Sequence, residues 1–542
     1  MPSTPTTKSQ VQAYKFVLRR MESALVRKDP ILLHDPMSGH LRAVTGGIAL
    51  AVVIGLAFLA VGFFNPKSGA GDSGIVRSSQ SGAVYVIGQN PRRLIPMLNV
   101  ASARLLILAQ NPNSNGDQLK VNEADEGQLA DISRDRLTGI VGAPDWLPDA
   151  EHRAAAKWQV CDAPDPDKPQ HYLTSVLVDA GTNGELGEKD IIPVKAAGTN
   201  DLYLIYRVGK PDSRPDHARV VRSKIDTGQI LDNSDEALRR VYNVIPSLAG
   251  QEPREISKAT LSAIPEARAF AAPVIDGMGE RTTGTALVGD IGTTTEFNGP
   301  PKTWVVLKNG KQEVTPMVAK MIKYLGNKGK QLPGDVPSAD LERVGIASTG
   351  KLENLNDYPS IDAVYLSPSN ANRAVCFQWS GEGKEVSTVS LGERLPIDND
   401  DKGQPMRPVQ LIGADGEKDN LDGMFMKPGR GGVVHAANSE ADFKSGAIFL
   451  VSDRGVAYGV RDAKVAKGLG LGETNDFGAA PTSILRLLPR GPGLNPDDAR
   501  RTYDTPRLAD CVTIVDGDKK PAVCDRLSKP LPLPSTAAAS GN

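Results

Sequence analysis

Hydrophobic positions fall into three regimes along this chain. Over residues 9–28, Val11, Tyr14, Val17, Leu18, Met21 and Leu25 recur mostly at three- and four-residue steps, with Arg19, Arg20, Arg27 and Lys28 between them. That period predicts an amphipathic helix, which Asp29-Pro30 ends because the residue before a proline disfavours the helical region. Residues 43–64 then run for 22 positions without a charge. As a helix this is about 33 Å, enough to cross a hydrocarbon core of about 30 Å. Beyond it the apolar runs shorten to strand length and alternate with Gly, Pro, Asn and Asp, which predicts β-containing modules joined by turns.

The apolar run reads as an uncleaved anchor. A secretory signal has a short lead and an apolar core of about 7–15 residues, whereas here 42 residues precede the run and Asn65 and Pro66 follow it directly. Seven Lys and Arg against three acids lie before Ala43. Cations resist translocation, so the N-terminus is expected in the cytoplasm and the long remainder outside, a single-pass protein of the inner (plasma) membrane. With a surplus of four cations there and −1 on the whole chain, the remainder carries −5. That sign argues against nucleic acid and against a polybasic membrane-surface domain. Within the anchor, Gly47, Ala51 and Gly55 place small residues at i, i+4 and i+8, a pattern that lets membrane helices approach closely. In the preceding helix, Tyr14, Phe16, Arg19 and Arg20 predict docking into a partner subunit's groove with contact to lipid headgroups. The alternative is a helix that lies in the headgroups alone.

All four cysteines, Cys161, Cys376, Cys511 and Cys524, follow the anchor. The last two enclose a turn-like DGDKKP between short apolar runs and read as a hairpin closed by a disulfide. If that pair forms, Cys161 is left with Cys376. Four buried thiols are the other reading.

Residues 305–326 and 449–470 align without a gap. Each writes a strand, a tight turn (Lys308-Asn309-Gly310 or Asp453-Arg454-Gly455), a second strand and a helix that ends at Gly. Looser copies begin at Ala83 and Asp201. The non-repeated remainder pairs Trp158 and Cys161 in one place with Cys376 and Trp379 in another, so distant strands are expected to share one central sheet.

Motifs of nucleotide chemistry are incomplete. Gly468, Gly470 and Gly472 form GxGxG, but after a helix, where a phosphate loop needs strand, glycines and then helix; capping is the expected role. The stretch from Asp290 to Thr295 is expected to be a polar turn. The segment from Gly326 to Lys330 lacks Walker A spacing. The six histidines show no paired ligand spacing. No catalytic, cofactor-binding or metal-ligating residue is therefore assigned, and no cofactor is expected.

The fold class expected is α+β: a cytoplasmic helix, one transmembrane helix, and an elongated extracytoplasmic region with a β-rich central domain and four small α/β repeat modules. The boundaries are 1–42 for the cytoplasmic segment, 43–64 for the span and 65–81 for a flexible stalk. Repeats follow at 82–150, 200–275, 276–360 and 441–505, with the central domain at 151–199 and 361–440. A disulfide hairpin at 506–528 and a disordered tail at 529–542 complete the chain.

The ordered set SQVQAYKFVLRRMESAL, the anchor, SGAVYVIGQNPRRLIPMLNVASARLL, TGIVGAPDWLP, WQVCD, AVCFQWS, GAIFLVSDRGVAYGV and LLPRGPGLNPDDARR resembles the EccB family, the single-span membrane component of the type VII (ESX) secretion system of actinobacteria. The resemblance implies a structural scaffold of an inner-membrane secretion complex, with EccC, EccD and EccE as neighbours and a mycosin protease on the outer side. It also implies homo-oligomers formed through the periplasmic domain, and repeats similar to phage-lysin wall-binding modules. Two alternatives come with it. One is a peptidoglycan tether, for which Tyr85, Trp304 and Tyr458 would have to form sugar-stacking surfaces, although burial in strands is the expected role of these three. The other is an extracytoplasmic hydrolase, including the weak nucleotide hydrolysis ascribed to the family, which no residue singled out here would explain.

Overall fold

A computed structural model describes residues 7–28, 37–64, 73–504 and 529–530. Within 73–504 it omits 115–118, 155–156, 209–218, 231–233, 283–284, 296–298, 327–332, 354, 356, 360–361, 382–384, 412–413 and 415–419. The chain divides into two compact units, Met1–Ala70 and Gly71–Asn542.

The first unit holds two helices. Lys8–Arg27 opens with the Thr7 N–H donating to Gln10 Oε1 (3.0 Å) and closes with Lys28 in the left-handed region (φ 56°), its N–H donating to Ala24 O. The second helix, Met37–Phe64, starts six residues ahead of the apolar run. Its stretch Gly39–Leu59 has a mean hydropathy of 2.0 and is long and apolar enough to cross a membrane, the one such helix among the described residues.

The second unit is mixed α+β and β-rich. A twelve-stranded sheet has Lys157–Pro164 near its middle, flanked by Tyr172–Val178 on one side and Ala374–Ser380 on the other. The chain leaves this sheet after Arg254–Ile256, builds a separate three-stranded sheet (Ile291–Thr295, Pro301–Leu307, Gly310–Val314), and returns at Val364–Tyr365 and Ala374–Ser380. Two smaller sheets complete the unit. One has seven strands running from Lys529–Pro530 and Arg501–Tyr503 to Val121–Ala124; the other has four, spanning Gly432–Ala437 to Gly478–Pro481.

One order of elements recurs in four places. A strand (Gly74–Ser78, Asp190–Ala196, Ile291–Thr295 or Gly432–Ala437) pairs antiparallel with the first strand of a hairpin. The hairpins are Val84–Gly88 with Arg93–Met97, Leu202–Val208 with Arg219–Lys224, Pro301–Leu307 with Gly310–Val314, and Ile448–Val451 with Ala457–Val460. A helix follows (Val100–Gln110, Ser234–Val244, Pro316–Leu325 or Ala463–Gly468). The chain then comes back parallel to the opening strand, at Val121–Ala124, Arg254–Ile256, Asp335 and Gly478–Pro481. Three of these helices are started alike, because a side chain just past the hairpin accepts the N–H three residues on: Asn99 from Ser102, Thr315 from Val318 and Asp462 from Val465. The helices pack in pairs. Val100–Gln110 and Ala463–Gly468 share one core through Leu105, Leu108, Val465 and Ala466, while Val241 and Val244 meet Met317, Met321 and Leu325 in another.

Several expectations need correction. The described part of the expected stalk is not flexible: Gly74–Ser78 is a strand with Ile75 and Val76 buried. Two adjacent apolar residues suffice once strands on both sides supply the hydrogen bonds and the core. The same holds for Ile291–Thr295, a strand rather than a polar turn; Asp290 accepts from the backbone N–H groups of Leu287 and Gly334. The tail begins with Lys529–Pro530 paired to Arg501–Tyr503. The second hairpin does not stand alone, since Arg219 pairs with Ser387 and joins it to the central sheet. The Cys511 and Cys524 hairpin lies outside the described residues.

Candidate functional site

The two stretches singled out for tryptophan and cysteine meet residue by residue. WQVC and CFQW read as reversals of one another, and antiparallel pairing sets Trp158 opposite Trp379, Gln159 opposite Gln378, Val160 opposite Phe377 and Cys161 opposite Cys376. The cysteines form a disulfide across 215 residues, with Cα atoms 4.0 Å apart and both side chains fully buried. The next residue, Asp162, was not anticipated. Its carboxylate is buried and accepts from Thr174 Oγ1 (2.9 Å), Ser257 N (2.6 Å), Ser257 Oγ (2.7 Å) and Thr260 Oγ1 (2.7 Å). These contacts lock the N-terminus of helix Lys258–Ala263 onto the strand that carries Cys161. The acid in WQVCD, within an otherwise apolar strand, was the available signal.

The proposed docking residues are all on the first helix but do not share a face. Tyr14 and Phe16, two positions apart, are separated by about 200°. Tyr14 joins Val11, Leu18, Met21 and Leu25 in an exposed apolar stripe, and Phe16 sits with Arg19 and Arg20 on the other side. In the second helix, Gly47, Ala51 and Gly55 do lie along one face. A Cβ added at Gly47 or Gly55 meets no heavy atom within 4 Å, so within one chain that face is open.

Tyr85 and Tyr458 are buried, as expected for strand residues. The Trp304 ring is half-buried, its Nε1 donating to Thr294 Oγ1 and Lys311 Nζ lying 5.1 Å from its centroid. Of the histidines, His435 is buried between the carbonyls of Gly446 and Thr474, and His152 pairs with Asp149 at 2.6 Å. No group of three or more His, Cys, Asp or Glu able to hold a metal occurs among the described residues.

The glycine run after helix Ala463–Gly468 serves close approach. A Cβ at Gly468 would fall 2.2 Å from Leu108 Cδ1, and one at Gly470 (φ 76°) 2.5 Å from Arg104 Nη1. Where the two helices meet, a cleft of about 650 Å³ is lined by Arg104, Lys120, Lys464, Lys467, Ser114 and neighbouring backbone. Arg104 donates to the carbonyls of Leu119 (3.2 Å) and Leu469, and burial pulls its guanidinium pKa below the usual value. Lys464 donates to Asn113 Oδ1 (3.2 Å), and Lys467 pairs with Glu473 (2.5 Å).

Comparison with known proteins places the whole chain. A family model described as "Type VII secretion system ESX-1, transport TM domain B", of the EccB type, matches residues 3–507. The "ESX-5 secretion system ATPase EccB5" of Mycobacterium marinum is 29% identical over 520 residues, covering 92% of this chain and 94% of that protein. The "ESX-3 secretion system ATPase EccB3" of Mycolicibacterium smegmatis is 29% identical over 522 residues, covering 92% and 91%. Among solved structures, a chain of an intact ESX-5 inner membrane complex superposes with a TM-score of 0.59 at 24% identity, covering 96% of this chain and 99% of that one. A chain of an EccB3 dimer from the ESX-3 core complex gives 0.55 at 21%, covering 79% and 99%. The structural likenesses establish a shared fold.

Proposed function

The chain belongs to the EccB family of type VII secretion membrane proteins, and from that premise we propose how it works as a structural subunit of the secretion membrane complex. The observation that carries the reading is its division into a helical unit with one apolar span and a large β-rich unit closed by a buried disulfide. A disulfide of this kind belongs in an oxidising compartment. Together with the cation surplus before residue 43 it supports a cytoplasmic N-terminus and a periplasmic second unit. In this reading helix Lys8–Arg27 docks on a cytoplasmic neighbour with its apolar stripe, and Gly47, Ala51 and Gly55 seat the span against another membrane helix. The periplasmic unit carries four related modules on a central sheet and joins a second copy of the chain. EccC, EccD and EccE, with a mycosin protease outside, are the neighbours this role calls for.

A second reading comes from the relatives' printed names, which include "ATPase". In this chain the glycine run that could be taken for a phosphate loop follows a helix and makes room for Leu108 and Arg104, which favours the scaffold. The test is company. A C-terminally tagged chain is extracted from native membranes in mild detergent, run on a native gel and each band identified by mass spectrometry. Migration in a very large assembly with a motor ATPase and a multi-span subunit is expected. Migration alone, or as a small homo-oligomer without those partners, refutes the scaffold role.

A further inference from the structure

We propose that the cleft between helices Val100–Gln110 and Ala463–Gly468 is a binding site for a ligand bearing adjacent phosphate groups. Four cations from segments up to 365 residues apart in sequence line it, Arg104 and Lys120 from one side and Lys464 and Lys467 from the other, and no carboxylate is among its lining residues. Cations so arranged repel one another and are stabilised by a polyanion.

Two further features point the same way. Ser114 is 8% exposed, lines the cleft, and its Oγ meets no protein hydrogen-bond partner. A buried hydroxyl without a partner is rare, and a phosphate oxygen is the acceptor it lacks. Arg104 has Nε and Nη1 held by the carbonyls of Leu119 and Leu469, and no described carboxylate pairs with it. Its plane is therefore set before any ligand arrives, and it keeps its charge although burial works against it. Gly470 makes this possible, since any side chain there would displace the guanidinium. A single ion would leave most of about 650 Å³ empty, so a chain of phosphates or a phosphate joined to a larger group fits better. With no lining carboxylate to act as base, the step proposed is binding.

The experiment uses the full-length chain in detergent, with inorganic tripolyphosphate as probe, followed by calorimetry. Saturable binding is expected, weakening at least tenfold in K120Q/K464Q, several-fold in S114A, and with added salt. Both lysines are exposed and Ser114 makes no side-chain bond, so these variants keep their fold; K189Q, an exposed lysine outside the cleft, controls for general charge loss. Two competitions distinguish sources. Displacement by ATP no better than by tripolyphosphate assigns recognition to the phosphate chain alone. Displacement by short-chain phosphatidic acid in mixed micelles, with none by phosphatidylcholine, assigns it to a lipid phosphate. The proposal is overturned if neither tripolyphosphate nor phosphatidic acid binds, or if K120Q/K464Q binds no worse than K189Q.

Discussion

Replacing Cys161 and Cys376 together by alanine should lower stability without changing the native fold. The two strands already pair over six positions, from Val375 opposite Asp162 to Ser380 opposite Lys157, and Trp158 and Trp379 are buried beside the bridge. Those contacts survive the substitution. What is lost is a constraint on the unfolded chain, in which the bridge closes a loop of 215 residues. The loop-entropy relation gives about 5 kcal/mol for a loop that long. A β-rich unit of this size unfolds with an entropy of about 1 kcal/mol/K, so the melting temperature should fall by about 5 °C if the unit melts in one transition. Differential scanning calorimetry of the detergent-solubilised chain reads the shift, and near-ultraviolet dichroism at 20 °C reads the tryptophan environment. Reducing the native chain should reproduce the shift only after unfolding has exposed the buried bridge. An unchanged melting temperature would refute the entropic argument, and a changed tryptophan spectrum would show that the bridge holds the strands in place.

Three other outcomes follow from the same contacts. Asp162→Ala strips the shared acceptor from Thr174, Ser257 and Thr260 and leaves their donors buried, which should cost about 4 kcal/mol in urea denaturation; a loss under about 1 kcal/mol contradicts it. On the acid side, Asp442 is held low by the N–H groups of Asn438 and Ser439. At Asp462 burial pushes the carboxyl up, but bonds from the Val465 N–H and Arg461 outweigh it and the pKa is lowered. Carboxylates depressed in the folded state contribute stability that is present above their unfolded pKa of about 3.9 and is lost as pH falls through the folded values. The urea midpoint should therefore owe no change to these two groups between pH 7 and 5 and should drop below about pH 4; a rise there would reverse the sign. Finally, Gly47→Leu with Gly55→Leu should reduce recovery in the large membrane assembly several-fold, whereas Val53→Leu, about 200° from Ala51, should not. Equal recovery of the two removes the packing role.

How far the sequence reveals this fold depends on the range of each interaction. The apolar run and the amphipathic period are local, and both helices form where the pattern puts them. Hairpins with their helices are nearly local, and all four starts, near 83, 201, 305 and 449, fall within strands or beside them. What escaped were the strands that open and close each of these stretches. Gly74–Ser78, Ile291–Thr295, Val121–Ala124 and Gly478–Pro481 are short, rich in Gly, Ser, Thr or Ala, and strand-like only because a partner far along the chain pairs with them.

The same distinction explains the uneven reading of the sites. The disulfide partners could be found because reversed words announce antiparallel pairing: once WQVC faces CFQW, every residue meets one of its own kind or character, and cysteine meets cysteine. Tyr14 and Phe16 were grouped by closeness in sequence when the helical period separates them, an error the sequence itself could have exposed. The basic cleft carries no such trace. Arg104, Ser114 and Lys464 are unremarkable in isolation, and only the close packing allowed by Gly468 and Gly470 brings them together. A glycine run that fails as a phosphate loop by its position thus returns as a packing device, and the charges it gathers are the chemistry that the motif alone could not locate.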